Sequence, residues 1–222
     1  MTNKYFLPLF IRLKLRNVEK VIRYSFRRIL IRIPIFFDRP INIILGAALT
    51  YQKGWYSTNE QWLDITKESD WLNVFKNKVL IKNIVVEHVL EHLTYSELNL
   101  ALVNIYKHML PGARLRIAVP DGYNPNKIYI KNVGINGIGP DASDHKQLLN
   151  FDILSKTLLK HRFEVELLEG YISNGDLTTK AYDPLDGYIK RSRSNQANMK
   201  NIDSWDFQDA ETSLIVDAFK TL

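Results

Sequence analysis

Apolar positions along the chain follow two rhythms. Short dense runs read as buried strands: Ile41 to Leu45, bounded by Pro40 and Gly46, then Trp55 to Thr58, Ile81 to Val86, Leu115 to Val119, Phe163 to Leu168 and Thr212 to Phe219. Between the third and fourth runs, Leu93, Leu98, Leu102, Ile105 and Leu110 recur at helical spacing. Thr94 is suited to cap that helix, with Glu97 three residues later completing a capping box and Pro111-Gly112 ending it. A second helix is marked by Leu148, Leu149, Ile153, Leu154, Leu158 and Leu159.

Strands alternating with helices predict an α/β fold: a doubly wound, Rossmann-like sheet, mostly parallel with an antiparallel C-terminal strand, both faces covered. The nine residues between Leu45 and Trp55 are too few for a crossover helix, so that connection is abbreviated. Residues 121–146 and 169–209 read as long irregular stretches, and loops of such length in compact domains are usually functional or disordered. With 222 residues, 45% of them hydrophobic, the chain suits one domain, residues 40–222, preceded by a segment over 1–39.

Charge sets that first segment apart. Residues 1–40 hold ten Lys or Arg against Glu19 and Asp38, a balance of +8, whereas the whole chain carries +6 and the remainder is therefore slightly acidic. From Asn17 to Ile33, Val18, Val21, Ile22, Ile29, Leu30 and Ile33 form an apolar stripe beside Arg16, Lys20, Arg23 and Arg27: an N-terminal amphipathic basic helix ended by Pro34. Such a helix packs on its domain or rests on an anionic membrane surface. No specific nucleic-acid contact is expected, because no binding module accompanies the charge. Cysteine is absent, which excludes disulfides, thiolate metal sites and cysteine nucleophiles. No membrane-spanning run or secretory signal is recognisable, so a cytoplasmic protein, peripheral at most at the inner membrane face, is the simplest reading.

Ligands of doubly wound sheets bind outside the carboxyl ends of the strands. That rule selects Gly46-Ala47-Ala48, Asn59-Glu60, Glu87-His88 and Asp121-Gly122. Gly46 permits a sharp turn and a close backbone approach, and Asn59 or Glu60 can accept hydrogen bonds from ribose hydroxyls.

The segments Asn42 to Gly46 with Gly54-Trp55, VEHVLEHLTYSE (Val86 to Glu97), MLPGARLRIAVPDG (Met109 to Gly122) and DASDHK (Asp141 to Lys146) resemble class I methyltransferases. The resemblance is to the type 11/12-like predicted bacterial enzymes often found among polysaccharide genes, and it covers roughly residues 41–220. It implies a seven-stranded sheet with an antiparallel last hairpin and S-adenosylmethionine as methyl donor. Carried over by position, it implies that Gly46, Ala47 and Ala48 face the methionine part of the donor, Asn59 or Glu60 the ribose, and Asp64 and Ile65 the adenine. Glu87 and His88 would flank the methionine end. Two departures stand out: Ala48 replaces a usual second glycine, and Asn59-Glu60 replaces an unambiguous acid.

Methyl transfer is an in-line attack that needs positioning more than catalytic side chains. A hydroxyl acceptor gains from a general base, and His145 is the first candidate, with Asp141 or Asp144 orienting the acceptor or the imidazole. The bland alternative is that Asp144-His145 caps a helix beginning near Gln147. His88 and His92 are four apart, but HVLEH is not the HExxH zinc motif and no metal is expected. Tyr182, Asp183, Asp186, Arg191 and Arg193 form a polar cluster suited to salt bridges or, less simply, to an anionic or polyhydroxyl acceptor. The leading expectation is O-methylation of a sugar or glycan-like hydroxyl. The rivals are a methyltransferase-like binding or scaffold module that is catalytically weak, and a peripheral membrane tether.

Overall fold

A computed structural model describes residues 24–47, 50–139, 142–193 and 213–221. The strands are β1 (Ile41–Leu45), β2 (Trp55–Ser57), β3 (Ile81–Glu87), β4 (Met109–Pro120), β5 (Phe163–Tyr171), β6 (Leu177–Thr179) and β7 (Ser213–Lys220). The helices are α1 (Arg32–Phe36), α2 (Glu68–Phe75), α3 (Tyr95–His108), α4 (Lys127–Val133) and α5 (Phe151–Lys160), with single 3-10 turns at Leu90–His92 and Pro184–Asp186. One seven-stranded sheet runs β2-β1-β3-β4-β7-β5-β6. Strands β1 to β4 pair in parallel, and β7 lies antiparallel between β4 and β5. The seven strands and the antiparallel last strand agree with expectation. The edge strand β6 is an addition that its brief LTT gave no pattern to reveal.

The order winds one way from β1 to β2 and the other way from β2 onward, so right-handed connections dictate which face each helix takes. Crossovers β2 to β3, β3 to β4 and β4 to β5 all advance in the same direction. Their helices accordingly share one face, where Trp71, Val74 and Phe75 of α2, Leu98, Leu102 and Ile105 of α3 and Leu154 and Leu158 of α5 join one core with Ile43, Ile84, Ile117 and Val216. Only the β1–β2 connection would put a helix on the opposite face, and it is the abbreviated one. Both faces are covered as expected, but among the described residues the core-forming helices pack on one of them. Among the described residues the second face is covered by the irregular strap 182–193 and by Trp55, with Tyr182 and Ile189 packed on Ile44, Val85, Ala118, Leu168 and Ile215.

Strap and sheet meet through charge as well as apolar contact. Arg116, 1% exposed, donates from Nε and Nη2 to the two carboxylate oxygens of Asp217 at 2.7 Å each and from Nη1 to the Gly187 carbonyl at 2.6 Å. Its guanidinium also lies 4.1 Å from the Tyr182 ring. Asp183 caps the turn at Leu185 and Asp186 pairs with Arg114, so the cluster read in the sequence is built into this covering layer.

Local rules hold well in α3. Thr94 Oγ1 accepts from Glu97 N, and Glu97 Oε2 accepts from Thr94 N at 2.7 Å, a complete capping box. The helix stops at His108, three residues before Pro111. Pro111-Gly112 lies inside β4, whose pairing to β3 breaks register there and so tolerates them. His108 is buried beneath Trp71, rings 5.3 Å apart, and burial lowers its pKa.

The N-terminal segment packs differently from its expected stripe. Residues 24–30 are helical and lead through Ile31 into α1. Ile31 and Ile35, four apart, enter the core, while Ile29, Leu30 and Ile33 are exposed by 60%, 37% and 54%. Lys78 pins this turn, donating to the Ile35 carbonyl and pairing with Asp38, both at 2.8 Å. Val18, Val21 and Ile22 lie outside the described residues.

Candidate active site

The switch point of the sheet lies between β1 and β3, and Leu45 pairs with Val86, so Gly46 and Glu87 follow side by side at the strand tips. Gly46 has φ +60°, and a Cβ there would stand 2.5 Å from Val89 Cγ2. Glycine is thus demanded by both backbone and neighbour, and Val89 occupies part of the space beside it. Ala47 is buried and donates its amide to the Thr58 carbonyl, while Thr58 donates to the Ile44 carbonyl, which carries the β1–β2 pairing beyond the strands. Ala48 lies outside the described residues.

Asn59, 7% exposed, accepts from Gln61 N through Oδ1, but its Nδ2 is buried without a partner among the described residues. Trp62 Nε1 is likewise buried and unpartnered. Glu60 is exposed. Asp64 is committed locally: Oδ1 accepts from the amide and hydroxyl of Thr66 and Oδ2 pairs with Lys67 at 3.0 Å. Partial burial works to raise its pKa, yet these partners hold it below the usual value. Ile65 buries its side chain in the core, and its carbonyl accepts from Trp71 Nε1 and Asn104 Nδ2.

Glu87 and Glu169 hold the strap from the sheet. Glu87 accepts from Arg191 N at 2.9 Å and Lys190 N at 3.2 Å. Fully buried Glu169 accepts from Arg193 N at 2.8 Å and from the Ser192 hydroxyl. Asp121, at the tip of β4, is also fully buried and accepts from Tyr123 N and Tyr171 N; burial raises its pKa. Sequence reasoning placed Asp121 at a strand tip but missed Glu169, whose partners follow it by 23 and 24 residues across an irregular stretch.

A second polar group forms just beyond β3. His88, with φ +52°, places Nδ1 2.9 Å from Glu91 Oε1 and Nε2 3.4 Å from Ser213 Oγ. The Glu91 carbonyl receives Lys146 N and Gln147 N, which clamps the DASDHK loop onto the Leu90–His92 turn. His145, 5% exposed, meets the Val133 carbonyl through Nδ1 at 2.8 Å. Its ring lies edge-on to His92, centroids 4.7 Å apart, and His92 Nδ1 is 3.0 Å from Asp144 Oδ1. Asp144 therefore does not cap the following helix: that helix starts at Phe151, with Asn150 accepting from Ile153 N. Asp141 lies outside the described residues.

Elsewhere, an open cavity of about 280 Å³ is lined by Phe37, Arg39, Ile41, Asn42, Gly54 and Tyr56. It sits at the amino ends of β1 and β2, the opposite end of the sheet from Gly46 and Glu87.

The sequence matches no family model, and no curated protein matches it in sequence. Among solved structures, an S-adenosylmethionine-dependent methyltransferase from Archaeoglobus fulgidus is 15% identical, with 90% of this chain and 98% of that one covered and a TM-score of 0.46. The 1,6-didemethyltoxoflavin-N1-methyltransferase from Burkholderia thailandensis, crystallised with S-adenosylhomocysteine, is 11% identical over 100% and 94%, with a TM-score of 0.44. An O-methyltransferase family protein from the same organism is 7% identical over 89% and 55%, with a TM-score of 0.47. Likeness at these values assigns no activity to the chain.

Proposed function

We propose that the chain is an S-adenosylmethionine-dependent methyltransferase acting on a small acceptor, a sugar or glycan-like hydroxyl. The observation that carries this reading is the switch point, where a left-handed Gly46 and Glu87 stand together at the tips of β1 and β3. The orphaned Nδ2 of buried Asn59 and the exposed carboxylate of Glu60 suit ribose hydroxyls. Each Glu87 oxygen accepts one strap amide and keeps lone pairs for the ammonium of the methionine end, with His88 next in chain. Gly46, Ala47 and Ala48 would pass their backbone beneath that end. Asp64 and Ile65, tied into their turn, would meet adenine as a preformed edge.

When bound, the sulfonium supplies an activated methyl group; the chain's part is to hold the acceptor in line and receive its proton. Asp141, Asp144 and His145 are the acceptor-side residues of this reading. His145 Nδ1 faces a carbonyl, so Nε2 is the ring nitrogen with a lone pair, the atom that takes a hydroxyl proton when no cation competes for it. The sugar-like acceptor is supported only by the resemblance of the EHVLEHL and LRIAVPD segments.

Calorimetry with S-adenosylmethionine and S-adenosylhomocysteine tests the donor site. Saturable binding of both is expected within roughly 1 μM to 1 mM. Absence of heat at about 1 mM ligand overturns the enzyme reading in favour of a methyltransferase-like scaffold.

One observation favours an additional membrane contact. Phe26, Ile29, Ile33, Phe36 and Phe37 are 54–75% exposed along residues 24–37, beside Arg28, Arg32 and Arg39. No helix among the described residues is long and apolar enough to cross a membrane, so the contact would be interfacial. Exchanging Phe36 and Phe37 for serine is expected to lower cosedimentation with phosphatidylserine vesicles about tenfold or more while leaving the melting temperature in place. Equal sedimentation removes the membrane from the reading. Substitution is preferable to truncation here, because Ile31 and Ile35 belong to the core.

A further inference from the structure

We infer that Glu91, His92 and His145 form a binding site for one divalent transition-metal ion of the zinc class. Each offers a ligand atom, and the three atoms lie within 4.8 Å of one another. The residues come from two segments, the turn after β3 and the DASDHK loop, and the amide bonds from Lys146 and Gln147 to the Glu91 carbonyl fasten those segments together. The site is thus built by tertiary structure and not by the four-residue spacing of His88 and His92.

The observation pointing to a ligand is the Glu91 carboxylate. Its residue is 1% exposed, yet neither oxygen has a hydrogen-bond partner among the described residues. His88 Nδ1 stands 2.9 Å from Oε1 as an ion-pair contact, whereas Oε2 has no partner among the described residues. Burying a carboxylate in that condition is costly unless a cation compensates it.

The histidines are oriented as ligands are. His145 Nδ1 is turned to the Val133 carbonyl, which leaves Nε2 toward the cluster, and Asp144 stands 3.0 Å from His92. A carbonyl behind the imidazole, as at His145, is the usual outer support of a metal-bound histidine, and a carboxylate nearby, as at His92, is a charge contact of the same kind. Two imidazoles and one carboxylate suit zinc, cobalt or iron in preference to magnesium or calcium, and three protein ligands leave a coordination position open. Zinc bonds of about 2.0–2.2 Å draw the ligand atoms closer than they now lie. His92, the partly exposed member, has the freedom to move.

The inference stands apart from the methyl-donor reading, because it rests on different residues and is tested without the donor. It does bear on the acceptor side: an ion on His145 Nε2 and a proton on the same nitrogen exclude each other. Chelator-treated, tag-free full-length chain would be titrated with cobalt(II) alone, following visible ligand-field absorption, and with zinc by calorimetry. One ion per chain is expected, with affinity falling by about 100-fold or more in Glu91→Gln and His145→Ala while circular dichroism stays unchanged. No ligand-field band and no zinc binding by the wild-type chain overturns the proposal, as does stoichiometric binding that both variants retain. If a variant unfolds, the wild-type titration and His92→Ala decide the matter by the same two criteria.

Discussion

Replacing Asp217 with alanine is expected to lower the free energy of unfolding by about 3–5 kcal/mol, because it strands a buried cation. Arg116 is 1% exposed and Asp217 is 3% exposed, and the two parallel bonds of 2.7 Å between them are the main compensation for taking a guanidinium out of water. Arg114, 3.9 Å from the same carboxylate, would lose a partner too. The Gly187 carbonyl and the Tyr182 ring remain, but neither carries a full charge. The double replacement Arg116→Met with Asp217→Leu should recover much of the loss, since removing both ions also removes the desolvation cost. Urea unfolding of the two variants checks this; a single-variant loss below about 1 kcal/mol, the scale of an exposed pair, would show that water reaches the ion pair. The strap depends on the same pair, so the single variant should also expose residues 182–193 to proteolysis.

His145→Ala should reduce methyl transfer about 100- to 10,000-fold, the range that a positioned general base supplies, while donor affinity stays within about twofold, well under the 1.4 kcal/mol of a tenfold change. The split follows from position. His145 sits with Asp144 and His92 beyond β3, clamped through Glu91, whereas the proposed donor contacts are at Gly46, Asn59, Glu60 and Glu87. The rate would be read as labelled methyl transferred to acceptors in a cell extract, alongside calorimetry with S-adenosylhomocysteine. Undiminished transfer in the variant would remove His145 from the chemistry. A parallel loss of donor affinity would instead mean that its bond to Val133 holds the whole loop, and with it the donor site, in shape.

Much of the helical face was legible from local pattern. The capping box of Thr94 and Glu97 needs only residues three apart, and the β1, β3 and β4 runs are apolar because a central parallel strand is buried on both sides. The abbreviated β1–β2 link was also readable, but its consequence, a sheet face covered among the described residues by an irregular strap, required the strand order. The strap that covers that face was not legible. Its anchors join Glu87 to Arg191 across 104 residues and Arg116 to Gly187 across 71, and no local rhythm records such partnerships. The stripe of residues 29–33 shows a related limit of local pattern: periodicity reports that a helix has an apolar side, not which side finds a core, and here Ile31 and Ile35 enter it while Ile29 and Ile33 stay exposed.

The candidate site divides along the same line. Gly46, Glu87 and Asp121 could be placed at strand tips from the run lengths alone, since a strand's end is a local property. Asp144 could be read beside His145 as an orienting group or a cap; only the folded chain brings it to His92, and Glu91 to both histidines. Sequence by itself determined the longer strands and the helices α3 and α5, in order, but not α2, α4 or β6, because backbone sterics and burial act over a few positions and mark only elements with a strong local pattern. Tertiary structure decided which carboxylates are spent on the strap and which one is buried beside histidines without a hydrogen bond, because electrostatic partnership depends on distance in space.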